Sequence, residues 1–150
     1  MNNQEGKIVR IENLTRDMLM ECYWIAMLSR PNNAADIYAA MEREVNVNKH
    51  VLFVYLLRDQ VCGFIKGRPD YSKNGDEMDA KIDWLFVERK YGRRGIGAQL
   101  VEAYESHCRN ASVRRVLVQP APTVQAKSFY AKCGYLPCGL TYTHAKNLTR

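Results

Sequence analysis

Ile82-Asp83-Trp84-Leu85-Phe86-Val87 runs within a few residues into Tyr91-Gly92-Arg93-Arg94-Gly95-Ile96-Gly97-Ala98. The first stretch is apolar enough for a strand. Residues 99–109, after the second, place Leu100, Tyr104 and His107 or Cys108 at helical spacing. A backbone that turns sharply from strand to helix presents N–H groups with no intrahelical partner. Such groups suit a phosphate or pyrophosphate, and Arg93 and Arg94 add positive charge beside them. The plainer reading is a tight turn. Glycine in a helix costs about 1 kcal/mol relative to alanine. Close approach of a ligand would justify Gly95 and Gly97.

Outward from this turn the chain reads as alternating elements. Residues 7–12 alternate as a first strand. Thr15 can cap a helix that carries Leu14, Met18, Cys22 and Ile25, and residues 34–44 form a second helix after Pro31-Asn32-Asn33. Residues 51–57 and 61–67 read as strands joined tightly through Arg58-Asp59-Gln60, a hairpin. Residues 69–77 read as a polar loop and 79–87 as a fourth strand. Residues 113–119 make a fifth strand. Pro120-Ala121-Pro122 ends it. Thr123 precedes a short helix over 124–132, closed by Gly134. Residues 135–148 hold the last strands, with Leu140, Tyr142 and His144 on one face and Thr141 and Thr143 on the other. The order predicts an α/β (α+β) fold, a mixed sheet of six to seven strands flanked by about four helices.

Length and charge narrow the classes. At 150 residues the chain predicts a single domain, 1–150. The longest apolar run, residues 51–57, is too short to span a bilayer, and Met1-Asn2-Asn3-Gln4-Glu5 shows no secretory signal. The expected location is cytoplasmic, with no membrane partner. The formal charge of +6 suits an anionic cofactor better than nucleic acid, because the positives are scattered and lack interleaved aromatics. The five cysteines form no C-x-x-C pair and the three histidines form no H-E-x-x-H, so neither a disulfide scaffold nor a metal site is expected. His50, His107 and His144 read as solvated or structural. The spacing Gly92-x-x-Gly95-x-Gly97 reverses the dinucleotide fingerprint, and no Walker loop is present.

With these residues in view, the chain resembles the GCN5-related N-acetyltransferase (GNAT) family. Its motif A reads R/Q-x-x-G-x-G/A after a strand ending in valine. Val87, Tyr91, Gly95, Ile96, Gly97 and Ala98 stand in the matching places. Gly92 replaces the usual Arg or Gln, Arg93 stands where glycine is frequent, and Arg94 matches a basic position. Motif B reads N-x-x-A-x-x-F/L-Y-x-x-x-G-F/Y. Thr123, Ala126, Phe129, Tyr130, Gly134 and Tyr135 fill it, with Thr123 in place of asparagine.

The resemblance implies an acetyl-CoA-dependent N-acetyltransferase acting on a primary amine. It implies that the sheet splays after the fourth strand, where Leu85, Phe86 and Val87 would pair with the pantetheine arm. Leu85 or Phe86 N–H would polarise the acetyl carbonyl. Arg93, Arg94, Gly95, Ile96, Gly97 and Ala98 would hold the pyrophosphate, with Thr123 and Ala126 further along the cofactor. Tyr130 would protonate the departing thiolate. From the residues alone, Tyr130 is equally an amphipathic aromatic filling a seam.

Some relatives use a glutamate base on the fourth or fifth strand. Here the only acid inside the apolar stretch is Asp83. Strict alternation puts it with Leu85 and Val87, opposite Ile82, Trp84 and Phe86. It is then either the base or an ion-pair partner of Lys81, with Asp79 in reserve. Cys133 is not expected to carry the acyl group. The acceptor, a small-molecule or peptide amine, would meet Tyr23, Trp24, Tyr38, Trp84 and Tyr142, with Asp70, Asp76, Glu77 and Asp79 nearby. The competing class is a non-catalytic acyl-CoA-binding sensor or scaffold, and a nucleic-acid binder comes third. A homodimer is left open.

Overall fold

Arg58 and Asp59 both adopt positive φ, 53° and 62°. That is the two-residue turn whose twist matches two antiparallel strands. It joins β2 (Val51–Leu57) to β3 (Gln60–Asn74). The computed structural model describes residues 6–47, 50–74, 77–139 and 142–148. Around the hairpin lie β1 (Lys7–Arg10), α1 (Arg16–Ser29), α2 (Ala34–Val47), β4 (Glu77–Val87), a 3-10 turn (Arg89–Tyr91), α3 (Ile96–Asn110), β5 (Arg115–Val118), α4 (Val124–Lys132), β6 (Leu136–Pro137) and β7 (His144–Asn147).

The seven strands form one sheet in the order β1-β2-β3-β4-β5-β7-β6. Only β4 and β5 run parallel; the other neighbours are antiparallel. Each face of the sheet buries its own apolar layer. Leu19, Cys22 and Ile25 of α1, with Ile37 and Met41 of α2, cover Leu52, Val54, Phe64 and Phe86. On the other face Leu100, Tyr104 and Cys108 of α3, with Tyr130 of α4, cover Ile65, Ala80, Ile82 and Val116. Burial of this kind on both faces drives the fold. Among the described residues no helix is long and apolar enough to cross a membrane.

Two segments depart from the sequence reading. The expected loop over 69–77 is strand on both sides: β3 runs to Asn74 and β4 starts at Glu77. Its polar composition belongs to a hairpin arm, with Pro69 at a break in the ladder between Arg68 and Ser72. At the other end, β7 begins only at His144, and Tyr142 sits in a turn at φ 59°. Leu140 and Thr141 lie outside the described residues.

Candidate active site

The sheet parts in the middle. β4 pairs with β5 from Asp79↔Arg115 to Ile82↔Val118, and no further. Beyond that point Leu85, Phe86 and Val87 keep their ladder to β3, at Ile65, Phe64 and Gly63, while among the described residues no strand pairs with their edge toward β5. Gly63 keeps this region thin. A Cβ there would stand 3.1 Å from the Phe86 carbonyl oxygen and 3.3 Å from Ile96 Cγ2.

The chain then turns into α3. Gly95 is the helix N-cap at φ 75°, and no side chain caps the helix. The first intrahelical bond runs from Gln99 N–H to the Gly95 carbonyl at 3.0 Å. The N–H groups of Ile96, Gly97 and Ala98 precede it. Arg93 and Arg94 are exposed beside them, and the Arg94 guanidinium lies 5.5 Å from the Tyr91 ring centroid.

The two glycines have separate physical reasons. Gly95 needs its left-handed φ, since a Cβ there would meet only Gln99 Nε2, at an ordinary 3.9 Å. Gly97 makes room for α4: a Cβ would meet Phe129 Cε1 and Cζ at 3.2 Å. Close helix packing, which the sequence does not display, therefore accounts for Gly97 without a ligand. Arg93, where glycine is frequent in motif A, adopts φ 64°, so the backbone keeps the glycine-like conformation with a charged side chain on it. The helix begins at Ile96, one turn before the expected 99.

Thr123 caps α4, its hydroxyl oxygen accepting from Ala126 N–H at 3.1 Å. The hydroxyl proton is still available to donate. Gly134, at φ 99°, ends the helix. Its N–H donates to the Ala131 carbonyl at 3.0 Å, and Tyr135 N–H to the Tyr130 carbonyl at 2.9 Å. This pair of bonds is the Schellman termination. Tyr130 is 8% exposed and packs edge-on against Phe129 and Tyr135 at 5.0 and 5.7 Å between centroids. Burial raises its phenol well above the ordinary value. Burial also raises the Cys133 thiol, with Glu105 adding to the effect, so its reactive thiolate is disfavoured.

Asp83 lies opposite Ile82 as alternation expects, but it does not share the face of Leu85 and Val87. Lys66 pairs with Trp84 and Gly67 with Ile82, so Asp83 is an extra residue on β4, a β-bulge. The bulge reverses the phase. Ile82 and Leu85 both pack on the α3 side, and Asp83 turns to the α2 side with Trp84. Its partner is not Lys81. Asp83 Oδ2 accepts from Lys66 Nζ at 2.5 Å, and Oδ1 accepts from Arg68 Nε and Nη2 at 3.0 and 2.7 Å. Lys66 is 0% exposed, reaches Glu44 Oε1 of α2 at 2.6 Å, and lies 5.0 Å from the Trp84 ring centroid. Tyr104 secures the opposite side of the bulge. It donates to the Lys81 carbonyl at 2.8 Å across Gly67, where any Cβ would collide with the ring.

His50, set aside at the sequence level, joins this cluster. It is 13% exposed, with Nδ1 3.6 Å from Glu44 Oε1 and no hydrogen-bond partner. Burial, followed by the nearby Lys66 charge, lowers its pKa below 6.5. Ligand atoms of Glu44, His50 and Asp83 lie within 4.8 Å of one another, a spacing that could hold a metal. Lys66 already bonds both carboxylates there, so its ammonium is the cation of the cluster.

Of the aromatic wall expected for the acceptor, Tyr23 meets Trp24 and Tyr38 edge-on, at 5.5 and 5.6 Å between centroids, on α1 and α2. Tyr142 is exposed. Asp79 pairs with Arg115 Nη2 at 2.9 Å, and Asp70 is exposed. Asp76 lies outside the described residues, and Glu77 opens β4.

Comparison with known proteins agrees with this geometry. The model of the Acetyltransferase (GNAT) family matches residues 16–135. No curated protein matches the chain in sequence. Among solved structures, the chain is similar to an aminoglycoside 6′-N-acetyltransferase complexed with coenzyme A, at 15% identity and TM-score 0.77, covering 96% of this chain and 98% of that one. It is also similar to Ard1 from Thermoplasma volcanium, at 23% identity and TM-score 0.75, covering 97% and 99%. A third is the ribosomal-protein-S18-alanine N-acetyltransferase from Escherichia coli, at 15% identity and TM-score 0.73, covering 97% and 96%. These identities carry the fold alone. The family match spans most of the chain and includes both glycine motifs, and on that ground the chain belongs to the GNAT family of acetyltransferases.

Proposed function

We propose that this protein transfers the acetyl group of acetyl-CoA directly to a primary amine. One observation carries the reading. β4 leaves β5 after Ile82, exposes the backbone edge of Leu85, Phe86 and Val87, and leads through the 3-10 turn to an uncapped helix start flanked by Arg93 and Arg94. An extended chain ending in phosphates fits that sequence of groups.

Acetyl-CoA supplies an activated acyl group, a thioester. Leu85–Val87 backbone holds the arm as an added strand would, and Leu85 or Phe86 N–H polarises the carbonyl. The N–H groups of Ile96, Gly97 and Ala98 bind the pyrophosphate. Thr123 and Ala126 line the path on the α4 side, and the Thr123 hydroxyl can donate to the arm. Tyr130 keeps its proton across the neutral range because it is buried, and gives it up, or shares it in a hydrogen bond, as the thiolate departs. Asp83 spends its oxygens on Lys66 and Arg68, which favours water over Asp83 as the acceptor of the amine proton.

The same ionic lock supports a second reading, a domain that binds acyl-CoA without turning it over. A calorimetric titration with acetyl-CoA, followed by a thiol-release assay over a panel of amines, separates the two. Binding with amine-dependent thiol release supports the enzyme. Binding with no release from any amine selects the sensor. No binding contradicts both.

A further inference from the structure

Arg68 and Lys81 stand directly opposite each other in the β3–β4 ladder. Opposed residues of antiparallel strands share a face, and like charges there repel. The register then breaks until Ser72↔Asp79, so Pro69, Asp70 and Tyr71 face only Ala80. This excess of chain swings Tyr71 over both cations. Its ring centroid is 4.7 Å from Arg68 Cζ and 5.2 Å from Lys81 Nζ.

Three carboxylates near this pair are already engaged. Glu44 and Asp83 share Lys66, Asp83 also holds Arg68, and Asp79 holds Arg115. Among the residues whose side chains are described, no carboxylate forms an ion pair with Lys81. Arg68 keeps one guanidinium nitrogen, Nη1, outside its bonds to Asp83. The pair Lys81↔Leu117 comes one step before the last β4–β5 pair. The cations therefore stand at the apex of the wedge, on the face away from α3 and α4.

We propose that Arg68 and Lys81, under the Tyr71 ring, form an anion subsite for the acceptor, and that the acceptor is an amine that also carries a carboxylate. The inference rests on the acetyl-transfer reading above. Two donors, Arg68 Nη1 and Lys81 Nζ, match two carboxylate oxygens. Lys81 and Leu85 lie opposite Arg68 and Ile65, three residues apart on β3, so at a strand rise of about 3.3 Å per residue they stand roughly 10 Å apart. The acid is therefore several bonds from the reacting amine. This adds an anion-binding pair to the expected aromatic wall with carboxylates nearby.

The test uses the full chain saturated with coenzyme A, whose own binding isotherm is measured first and reports separately on the underlying reading. 4-Aminobutyrate and 6-aminohexanoate are then titrated against n-butylamine and n-hexylamine. At least one acid is expected to bind about tenfold or more tightly than its matched amine, the scale of a charge-assisted hydrogen bond. Lys81→Met, which keeps the stem over Tyr71, is expected to erase that preference while leaving coenzyme A affinity and the weak amine binding unchanged. Amines that bind as well as the acids, acids that do not bind, or a preference that survives Lys81→Met would each overturn the proposal.

Discussion

The two sides of the β4 bulge are built from different materials. On the α3 side the candidate site is backbone: the unpaired edge of Leu85–Val87 and the helix-start N–H groups of Ile96, Gly97 and Ala98. On the α2 side it is a side-chain ion network, with Lys66 buried between Glu44 and Asp83, and Arg68 and Lys81 beside them. Backbone geometry depends on a few local residues and tolerates exchange around them, as Arg93 shows by holding φ 64° where glycine is frequent. The ion network depends on charges brought together from α2, β3 and β4. The first suits a substrate common to a family, the second one particular to a member.

The comparison breaks most visibly at Asp83. Asp83→Asn takes one carboxylate from a lysine that is 0% exposed. Removing one partner of a buried pair costs about 3 kcal/mol, so denaturant unfolding should show a loss of that order. If Asp83 were instead the base, the variant would stay folded at near-parental stability and lose turnover most strongly at low pH.

Tyr130→Phe tests the backbone side through its one reacting side chain. Phenylalanine keeps the ring against Phe129 and Tyr135 and removes only the hydroxyl. Single-turnover acetyl transfer should slow about 10²-fold with acetyl-CoA affinity retained. An unchanged single-turnover rate would make Tyr130 a packing residue.

A smaller effect is expected at Ala98, exposed in the first turn of α3. Ala98→Asp adds a carboxylate that a helix start favours by a few tenths of a kcal/mol but that a phosphate opposes. Calorimetry should therefore show about tenfold weaker acetyl-CoA binding at unchanged or higher melting temperature. Equal affinity would move the pyrophosphate away from this turn. Gly97 is a poorer probe, because a side chain there strikes Phe129.

The smallest expected effect is a pH dependence from His50. Its folded pKa is depressed, chiefly by burial, below the ordinary 6.5. The unfolded chain then binds the proton more readily, so stability is full above about 6.5 and declines as pH falls from there toward the folded pKa. His107 is depressed in the same direction by burial and Arg10. Melting temperatures between pH 7.5 and 5.5 should fall, and His50→Gln should flatten part of that slope. An unchanged slope would take His50 out of the coupling.

What was legible in the sequence follows the same divide. Thr15 and Thr123 cap their helices through contacts three residues away, and Gly134 ends α4 through its own φ. Such signals are local, as are the glycines of the turn. The bulge was not legible, because an extra residue on β4 is defined only by what β3 places opposite it. Strict alternation through the bulge groups Asp83 with Leu85 and Val87, whereas the extra residue leaves it on the face of Trp84, opposite Ile82, and its partners are Lys66 and Arg68 rather than Lys81. His50 gave no signal either, since its position depends on Glu44 and Lys66, which come from different elements.

The central claim is that the parted edge of β4 and the start of α3 hold acetyl-CoA. Backbone amide hydrogen exchange with and without saturating acetyl-CoA tests it most directly. The account predicts slowed exchange at Ile96, Gly97 and Ala98, whose N–H groups lack intrahelical partners, together with the outward-facing amides of Leu85–Val87. The first amides of α2 should be unaffected. Exchange at Ile96–Ala98 that stays as fast with the ligand bound as without it would contradict the account.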